Sequence, residues 1–341
     1  MTEVTTRRPP SFPTKFPYAD QPDRSPGFSS SLDTLVQLSF KDTKRTPADT
    51  QKDLKRKAIR MKQTFDLIWP LIDLNSSMEN QYWSSYYCCR ELKQEGVYLR
   101  AKYCNKRWCF TCNAIRCAKM INNYMPIFKL HPHAQFVTLT RPNVKAEDLP
   151  EEINCLVAEF RIMIRYLRGM KKIDLRGLRK LEVTYNWYEN TYHPHFHLIV
   201  HMPGAARELI EEWLFRNPTA KRAAQHMREA DQGSFTELFK YAAKIAADKD
   251  MSPFAQDVIF QALANHRIYQ PFGINKVIKD PEDPQEVTQA YGSLDPEIYK
   301  VWYFNNDKKD WDSLQGESLI DTIIKSYNYR HETVAAYISD S

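Results

Sequence analysis

The stretch His193-Pro194-His195-Phe196-His197-Leu198-Ile199-Val200 decides how this chain is read. Its apolar and β-favouring residues make it a strand. Side chains alternate faces along a strand, so His193, His195 and His197 project from one side and Phe196 and Leu198 from the other. Two imidazoles held on one face by a stiff backbone form half of a metal site. A hard divalent ion wants an oxygen ligand as well. Working outward, Lys180-Leu181-Glu182-Val183-Thr184-Tyr185 reads as a second strand. Residues 186–193 read as the turn between them, so the two strands pair antiparallel. Glu182 then falls beside the histidines, at the cross-strand spacing of about 5 Å. His193 competes as the third ligand, although its position reads more simply as a loop histidine at the strand entrance.

Further out, Phe136-Val137-Thr138-Leu139-Thr140 is a strand closed by Arg141-Pro142-Asn143. Residues 148–169 form an amphipathic helix with Leu156, Val157, Phe160, Ile162, Ile164 and Leu167 as its apolar positions. Helices are expected at 206–215, 219–229 and 235–248. The order strand, helix, strand, strand, helix predicts an α+β fold: an antiparallel sheet with helices on one face, similar to the ferredoxin-like motif. Residues 1–45, rich in Pro, Ser, Thr and Arg, are expected to be a flexible tail. Thr46-Pro47 opens a basic helix that runs to about Trp69. A hairpin is expected over 82–103, turning at Gly96, and a helix over 113–128. The chain divides on this reading at 46–130, 131–250 and 251–341. The last segment mixes helix and strand as an extension of unknown role.

The chain has 341 residues, enough for one large domain or two ordinary ones. Its net charge of +6 conceals an asymmetry. Residues 51–130 carry 15 Lys and Arg against 6 Asp and Glu, which suits a polyanionic partner, nucleic acid first. Residues 251–341 carry 8 against 14, so the basic character belongs to one region. None of the nine glycines sits in a G-x-x-x-x-G-K-[ST] pattern, so the chain is not its own ATP-driven helicase. No apolar run approaches the roughly 20 residues that span a bilayer. The N-terminus lacks a secretory signal pattern, and the expected location is the cytoplasm, without membrane partners.

Two further constellations carry chemistry. In Glu237-Leu238-Phe239-Lys240-Tyr241-Ala242-Ala243-Lys244, helical spacing sets Glu237 one turn before Tyr241 and Lys244 one turn after it. A tyrosine can be a covalent nucleophile, a carboxylate can activate water, and a lysine can neutralise a phosphate oxygen. The second is the set Cys88, Cys89, Cys104, Cys109 and Cys112, five of the seven cysteines within 25 positions. Clustered thiols in a reducing compartment point to metal. Cys109-x-x-Cys112 has knuckle spacing, Cys104 precedes it, and Cys88 or Cys89 supplies a fourth thiolate. Four thiolates close the shell of Zn²⁺, which makes that ion structural.

Together these motifs resemble the HUH-endonuclease superfamily, and within it the single-tyrosine rolling-circle replication initiators of plasmids. The Phe136–Thr140 strand with Asn143 is similar to the first motif, F-[VL]-T-L-T. His193-Pro194-His195-Phe196-His197 is similar to the H-P-H-x-H metal motif, and Glu237-x-x-Lys240-Tyr241-x-x-Lys244 to the E-x-x-K-Y-x-x-K nucleophile helix. The segment from Tyr103 to Cys112 resembles the group's upstream C-x-x-R-x-C-P-x-C element. It departs in having Phe110 at the proline position and a Cys88-Cys89 doublet where one cysteine is expected. The likeness covers roughly residues 85–250.

The resemblance implies an HUH palm over 131–250, preceded by a zinc-binding, DNA-contacting region. It implies that Tyr241 attacks a scissile phosphate in single-stranded origin DNA, giving a 5′-phosphotyrosyl link and a 3′-OH primer. Mn²⁺ or Mg²⁺ held by His195, His197 and Glu182 would polarise that phosphate. Glu237 would activate water for the terminating cleavage, and Lys244 would hold the phosphate. Lys52, Lys55, Arg56, Arg60, Lys106 and Arg107 are the expected DNA contacts. A host helicase, DNA polymerase and single-strand-binding protein are the expected partners. The alternatives are a tyrosine transposase of the same superfamily and a non-catalytic zinc-dependent DNA-binding regulator.

Overall fold

In a computed structural model of the chain, the histidine strand lies at the centre of a five-stranded antiparallel sheet. The chain divides into two units, Met1–Thr43 and Lys44–Ser341. The structure describes residues 47–95, 98–239, 251–274, 300–323 and 330–331. The tail expected over 1–45 lies outside them. In chain order the elements are α1 (Pro47–Ile72), α2 (Glu79–Tyr86), β1 (Glu91–Glu95), β2 (Tyr98–Ala101), α3 (Phe110–Lys129), β3 (Gln135–Thr140), α4 (Leu149–Gly169), β4 (Gly177–Asn186) and β5 (Thr191–Val200). There follow α5 (Pro203–Arg216), β6 (His226–Glu229), α6 (Gln232–Phe239), α7 (Pro253–Leu263), β7 (Tyr269–Phe272), β8 (Lys300–Asn305), β9 (Asp310–Ser313), α8 (Leu319–Ile323) and β10 (Arg330–His331).

The palm sheet has the order β6-β3-β5-β4-β7, with every neighbouring pair antiparallel. Its first four strands alternate with α4 and α5 as β-α-β-β-α-β, the ferredoxin-like connection, and β7 is added at the outer edge. Phe196 on one face meets Phe160 of α4 at 5.0 Å and Trp213 of α5 at 6.2 Å between ring centroids. His195 and His197 therefore look to the opposite face. That face is covered in part by α3 and α6, so nearly all of β5 is buried.

Several expectations change. Residues 219–229 are not a helix: a 3₁₀ turn at Arg222–Ala224 leads into β6, which pairs with β3 at the free edge of the sheet. Met227 is the one apolar residue of β6, and an edge strand needs no more, so the local pattern carried no strand signal. Residues 82–86 belong to α2, and the hairpin is confined to β1 and β2. The histidine strand starts at Thr191, which makes His193 a strand residue opposite Thr184, not a loop residue.

The sheet also runs past residue 250, since β7 pairs with β4 from Gly177 to Lys180. The region after it completes the cysteine-bearing segment. Strands β8 and β9 extend the β1–β2 hairpin into a second sheet of order β10-β2-β1-β8-β9. Its core joins Leu54, Ala58 and Met61 of α1 to Leu92, Leu99, Trp302, Phe304, Trp311, Leu319 and four buried cysteines. Trp311 closes this core: its indole N–H donates to the Cys89 carbonyl at 2.9 Å, and its ring meets Phe304 at 5.0 Å.

Because Trp311 is fully buried, truncation to alanine leaves both a cavity and an unpaired carbonyl. Trp311→Ala should cost about 3–5 kcal/mol of stability in urea unfolding. A cost under about 1 kcal/mol, the range of surface substitutions, would detach β8 and β9 from the cysteine core.

Candidate functional site

The β4–β5 ladder sets Glu182 directly opposite His195, and Lys180 opposite His197. On the other side of β5, Thr138 of β3 is opposite His197 and Thr140 opposite His195. Residues opposite one another share a face, so these six side chains stand together. The ligand atoms of Glu182, His195 and His197 lie within 4.8 Å of one another, and all three residues are buried. The two imidazole Nε2 atoms are 3.2 Å apart, and Glu182 Oε2 is 3.6 Å from that of His197.

The surroundings orient both rings. His195 Nδ1 lies 2.9 Å from the His193 carbonyl, an acceptor only, so this nitrogen carries the ring proton and Nε2 presents a bare lone pair. Burial, and then the neighbouring His197, push the His195 pKa down to about 3, so the ring is neutral near pH 7. His197 Nδ1 lies 3.2 Å from the Thr138 hydroxyl, which can accept its proton and free Nε2 in the same way. The His193 ring stacks on His195 at 4.9 Å and is not among the converging ligand atoms. Two imidazoles and a carboxylate held so can bind a divalent metal ion.

Sequence reasoning passed over Lys180. Its ammonium is fully buried and donates to Glu182 Oε2 at 2.6 Å and to the Glu237 backbone carbonyl at 3.4 Å. It thus joins the ligand set to helix α6. The Glu237 carboxylate lies 3.8 Å from Arg228, whose guanidinium covers the Phe136 ring at 4.8 Å. Phe136 in turn stacks on His197 at 5.2 Å. Glu237 therefore belongs to the neighbourhood of the triad. Tyr241 and Lys244 lie outside the described residues.

A second cluster joins Cys88, Cys104, Cys109 and Cys112, with ligand atoms within 4.8 Å of one another. The Cys88–Cys109, Cys88–Cys112 and Cys104–Cys112 sulfur pairs are 3.6, 3.6 and 3.7 Å apart. A tetrahedron with metal–sulfur bonds of about 2.3 Å has edges of about 3.8 Å, so the spacing fits a four-thiolate metal. The backbone N–H groups of Cys104 and Lys106 point at the Cys88 and Cys104 sulfurs, each at 3.4 Å, as donors that steady thiolate charge. Cys89 stands outside the quartet. Its left-handed backbone, φ 59°, turns the chain so that Cys88 faces the cluster.

The expected DNA contacts divide. Lys52 and Lys55 are exposed, and Arg56 and Arg60 are half-buried on the same helix. Lys106 and Arg107 are engaged inside the protein, with Gln81 at 3.2 Å and the Leu263 carbonyl at 2.8 Å.

Residues 96–209 match the replication-protein family. This segment holds the whole Glu-His-His triad and three of the four clustered cysteines. The chain is similar to Protein rep of Staphylococcus aureus, 29% identical over 181 residues, covering 47% of this chain and 77% of the relative. It is also similar to Protein rep of Streptococcus pneumoniae serotype 2, 33% identical over 141 residues, covering 36% and 43% of the two chains. A third relative, Protein rep of Bacillus amyloliquefaciens, is 43% identical over 65 residues, covering 19% of each. No solved structure matches the chain. These likenesses support a replication protein of the Rep kind.

The Lys180–Glu182 pair yields a test of the site. Breaking a buried ion pair from one side strands the other charge, at about 3–5 kcal/mol. Lys180→Met should lose about that much stability in denaturant unfolding. Added Mn²⁺ should restore part of it, because a bound cation takes over as the partner of Glu182. A variant as stable as the parent, or one that divalent ions leave unmoved, would separate Lys180 from the ligand set.

Proposed function

We propose that this chain is a plasmid rolling-circle replication initiator. On this reading it nicks and rejoins single-stranded origin DNA through a 5′-phosphotyrosyl intermediate. The observation that carries it is the convergence of His195 Nε2, His197 Nε2 and a Glu182 carboxylate oxygen on one sheet face, within the segment that matches replication proteins. A resident Mn²⁺ or Mg²⁺, held by these three residues, would supply Lewis-acid polarisation of a phosphate.

The remaining work falls to the chain's own residues. The His193 carbonyl and the Thr138 hydroxyl fix the two imidazoles, and Lys180 fixes Glu182. Tyr241, four positions after Glu237 in sequence, is the nucleophile by that spacing. Its oxygen forms a bond to phosphorus while the bond to the 3′-oxygen breaks. The phenol loses its proton and the departing 3′-oxygen gains one. One phosphodiester is exchanged for another, so the step needs no nucleotide energy, consistent with the missing P-loop. The ordinary tyrosine pKa of about 10 makes help with that proton necessary at neutral pH. Lys244 neutralises the phosphate, and Glu237 activates water for the final hydrolysis.

Zn²⁺ in the four-cysteine cluster would be structural, since its shell has no open position. Duplex origin contacts fall to the outer face of α1, through Lys52, Lys55, Arg56 and Arg60. A host helicase, DNA polymerase and single-strand-binding protein would extend the primer.

Incubation with single-stranded origin DNA and Mn²⁺ should give a covalent adduct on a denaturing gel, and Tyr241→Phe should give none. The pair His195→Ala and His197→Ala should lower adduct yield by at least about 100-fold, more than a lost outer-shell partner would. Glu237→Ala should nick and join yet fail to terminate by hydrolysis. An adduct that survives Tyr241→Phe overturns the nucleophile, and a wild-type chain without one favours the non-catalytic regulator. Elemental analysis should also find zinc bound to the purified chain, with Cys104→Ser and Cys112→Ser together releasing it; a chain isolated free of zinc would refute that assignment.

A further inference from the structure

The turn between β4 and β5 is built to present two aromatic rings to solvent. Trp187 and Tyr188 are 65% and 83% exposed, the largest such pair adjacent in sequence among the described residues. Their rings stand 6.0 Å apart and perpendicular. Among the described residues, neither side chain has a stacking or hydrogen-bonding partner beyond the other ring. Exposed aromatics taken singly need no explanation. The turn that carries these two is tied down on every side. The Asn186 side-chain oxygen accepts from the Tyr188 and Glu189 backbone N–H groups at 3.1 and 3.3 Å. Asn190 takes the left-handed conformation at φ 50°, held by the Tyr185 hydroxyl at 2.9 Å. Lys145 caps the Glu189 carbonyl at 3.0 Å, and Asn143 donates to Thr191 at 3.1 Å. The polar atoms of the turn are satisfied internally, while its two largest apolar side chains are left unused.

Position supplies the occupant. The register from Glu182–His195 to Asn186–Thr191 is four steps, about 13 Å at a strand rise of about 3.3 Å per residue. A single strand whose phosphate lies at the triad reaches the turn within a few nucleotides. Exposed Lys145 offers a cation at the base of the turn for the backbone of that strand. Every base has a π-face, so stacking on rigid aromatics serves unpaired DNA of any sequence, whereas paired bases in a duplex are already stacked. Glu189 adds one negative charge, but its carboxylate is occupied by the Asn186 amide at 3.1 Å.

We propose that Trp187 and Tyr188 form a stacking platform for unpaired bases flanking the scissile phosphate. The identity of that strand rests on the nicking reading; the preference for single-stranded over duplex DNA does not.

The test measures fluorescence anisotropy of the full chain carrying Tyr241→Phe throughout, so that cleavage is silent without a chelator that would also strip a structural zinc. The probes are labelled oligothymidylate and a mixed-sequence duplex of equal length. Trp187→Ala with Tyr188→Ala should weaken oligothymidylate binding by ~10-fold or more and duplex binding by less than ~2-fold. Trp187→Phe with Tyr188→Phe should retain single-strand affinity, since stacking needs the ring and not the indole N–H or hydroxyl. Unfolding midpoints should not move, because both rings are exposed. Equal loss on both probes, or no loss on either, overturns the platform. A changed sedimentation coefficient with unchanged DNA affinity makes the pair a protein contact instead. Should wild type form no tyrosyl adduct with Mn²⁺ while the alanine pair still loses single-strand affinity, the nicking reading fails and the platform stands.

Discussion

The pairing register of β4 with β5 is the constraint on which the rest of the site depends. It sets Glu182 against His195 and Lys180 against His197, so four ionisable side chains meet on one face. Side chains alternate with a period of two, and a slip of β4 by one residue would send Lys180 and Glu182 to the face packed by α4 and α5, away from the two histidines. The register is held at both ends. At one end Gly177 lies so close to its neighbours that a Cβ there would come within 2.3 Å of the Ile199 carbonyl and 2.4 Å of the Phe272 ring. Only glycine lets β4 pass between β5 and β7 there. At the other end the Asn186–Asn190 turn fixes which residues face each other.

This face is costly to bury. An ion pair inside a protein is weak evidence of stability, since desolvation offsets most of its Coulomb gain. Lys180 and Glu182 are both buried. The arrangement makes physical sense as a ligand set prepared for a divalent ion. The lysine holds the carboxylate in place by a hydrogen bond, while burial keeps His195 neutral with its lone pair available. The contact of Lys180 with the Glu237 carbonyl extends the same arrangement to α6. Ligand position and the approach of that helix are thus coupled through one side chain.

What was legible in the sequence follows from the range of the interactions. Strands β3, β4 and β5 were readable because alternation and neighbouring turns are local signals, and the meeting of Glu182 with the two histidines follows from that alternation plus a short turn. Strands β7, β8 and β9 were not readable. Each is short; the partners of β7 and β8 lie about 90 and more than 200 residues away in sequence, and β9 is only the hairpin return of β8. The helix expected over 219–229 failed for the same reason, because β6 exists only against the edge of β3. The choice between Cys88 and Cys89 rested on a backbone angle that no spacing encodes. Lys180 escaped notice because a lysine in a strand reads as solvent-facing until the helix that covers it is known.

The cysteine cluster and the triad look like separate sites, but one helix joins them. Cys109 caps α3 and Cys112 lies in its first turn, so thiolate charge sits where the helix dipole favours an anion. At about 1.5 Å per residue, the 20 residues of α3 carry that anchor some 30 Å across the molecule to the loop that starts β3. Midway, the Cys117 thiol lies near enough to Lys180 to feel its charge. The knuckle is also fastened to α7, where Trp108 packs on Phe260 at 5.1 Å and Arg107 donates to the Leu263 carbonyl. Helix α7 leads directly to β7, the strand that borders β4. The cysteine element is therefore tied to the face that carries the triad along two routes and is not a pendant arm. Disrupting the four-cysteine cluster would loosen α3 and α7 together, and so disturb a triad whose own residues were untouched.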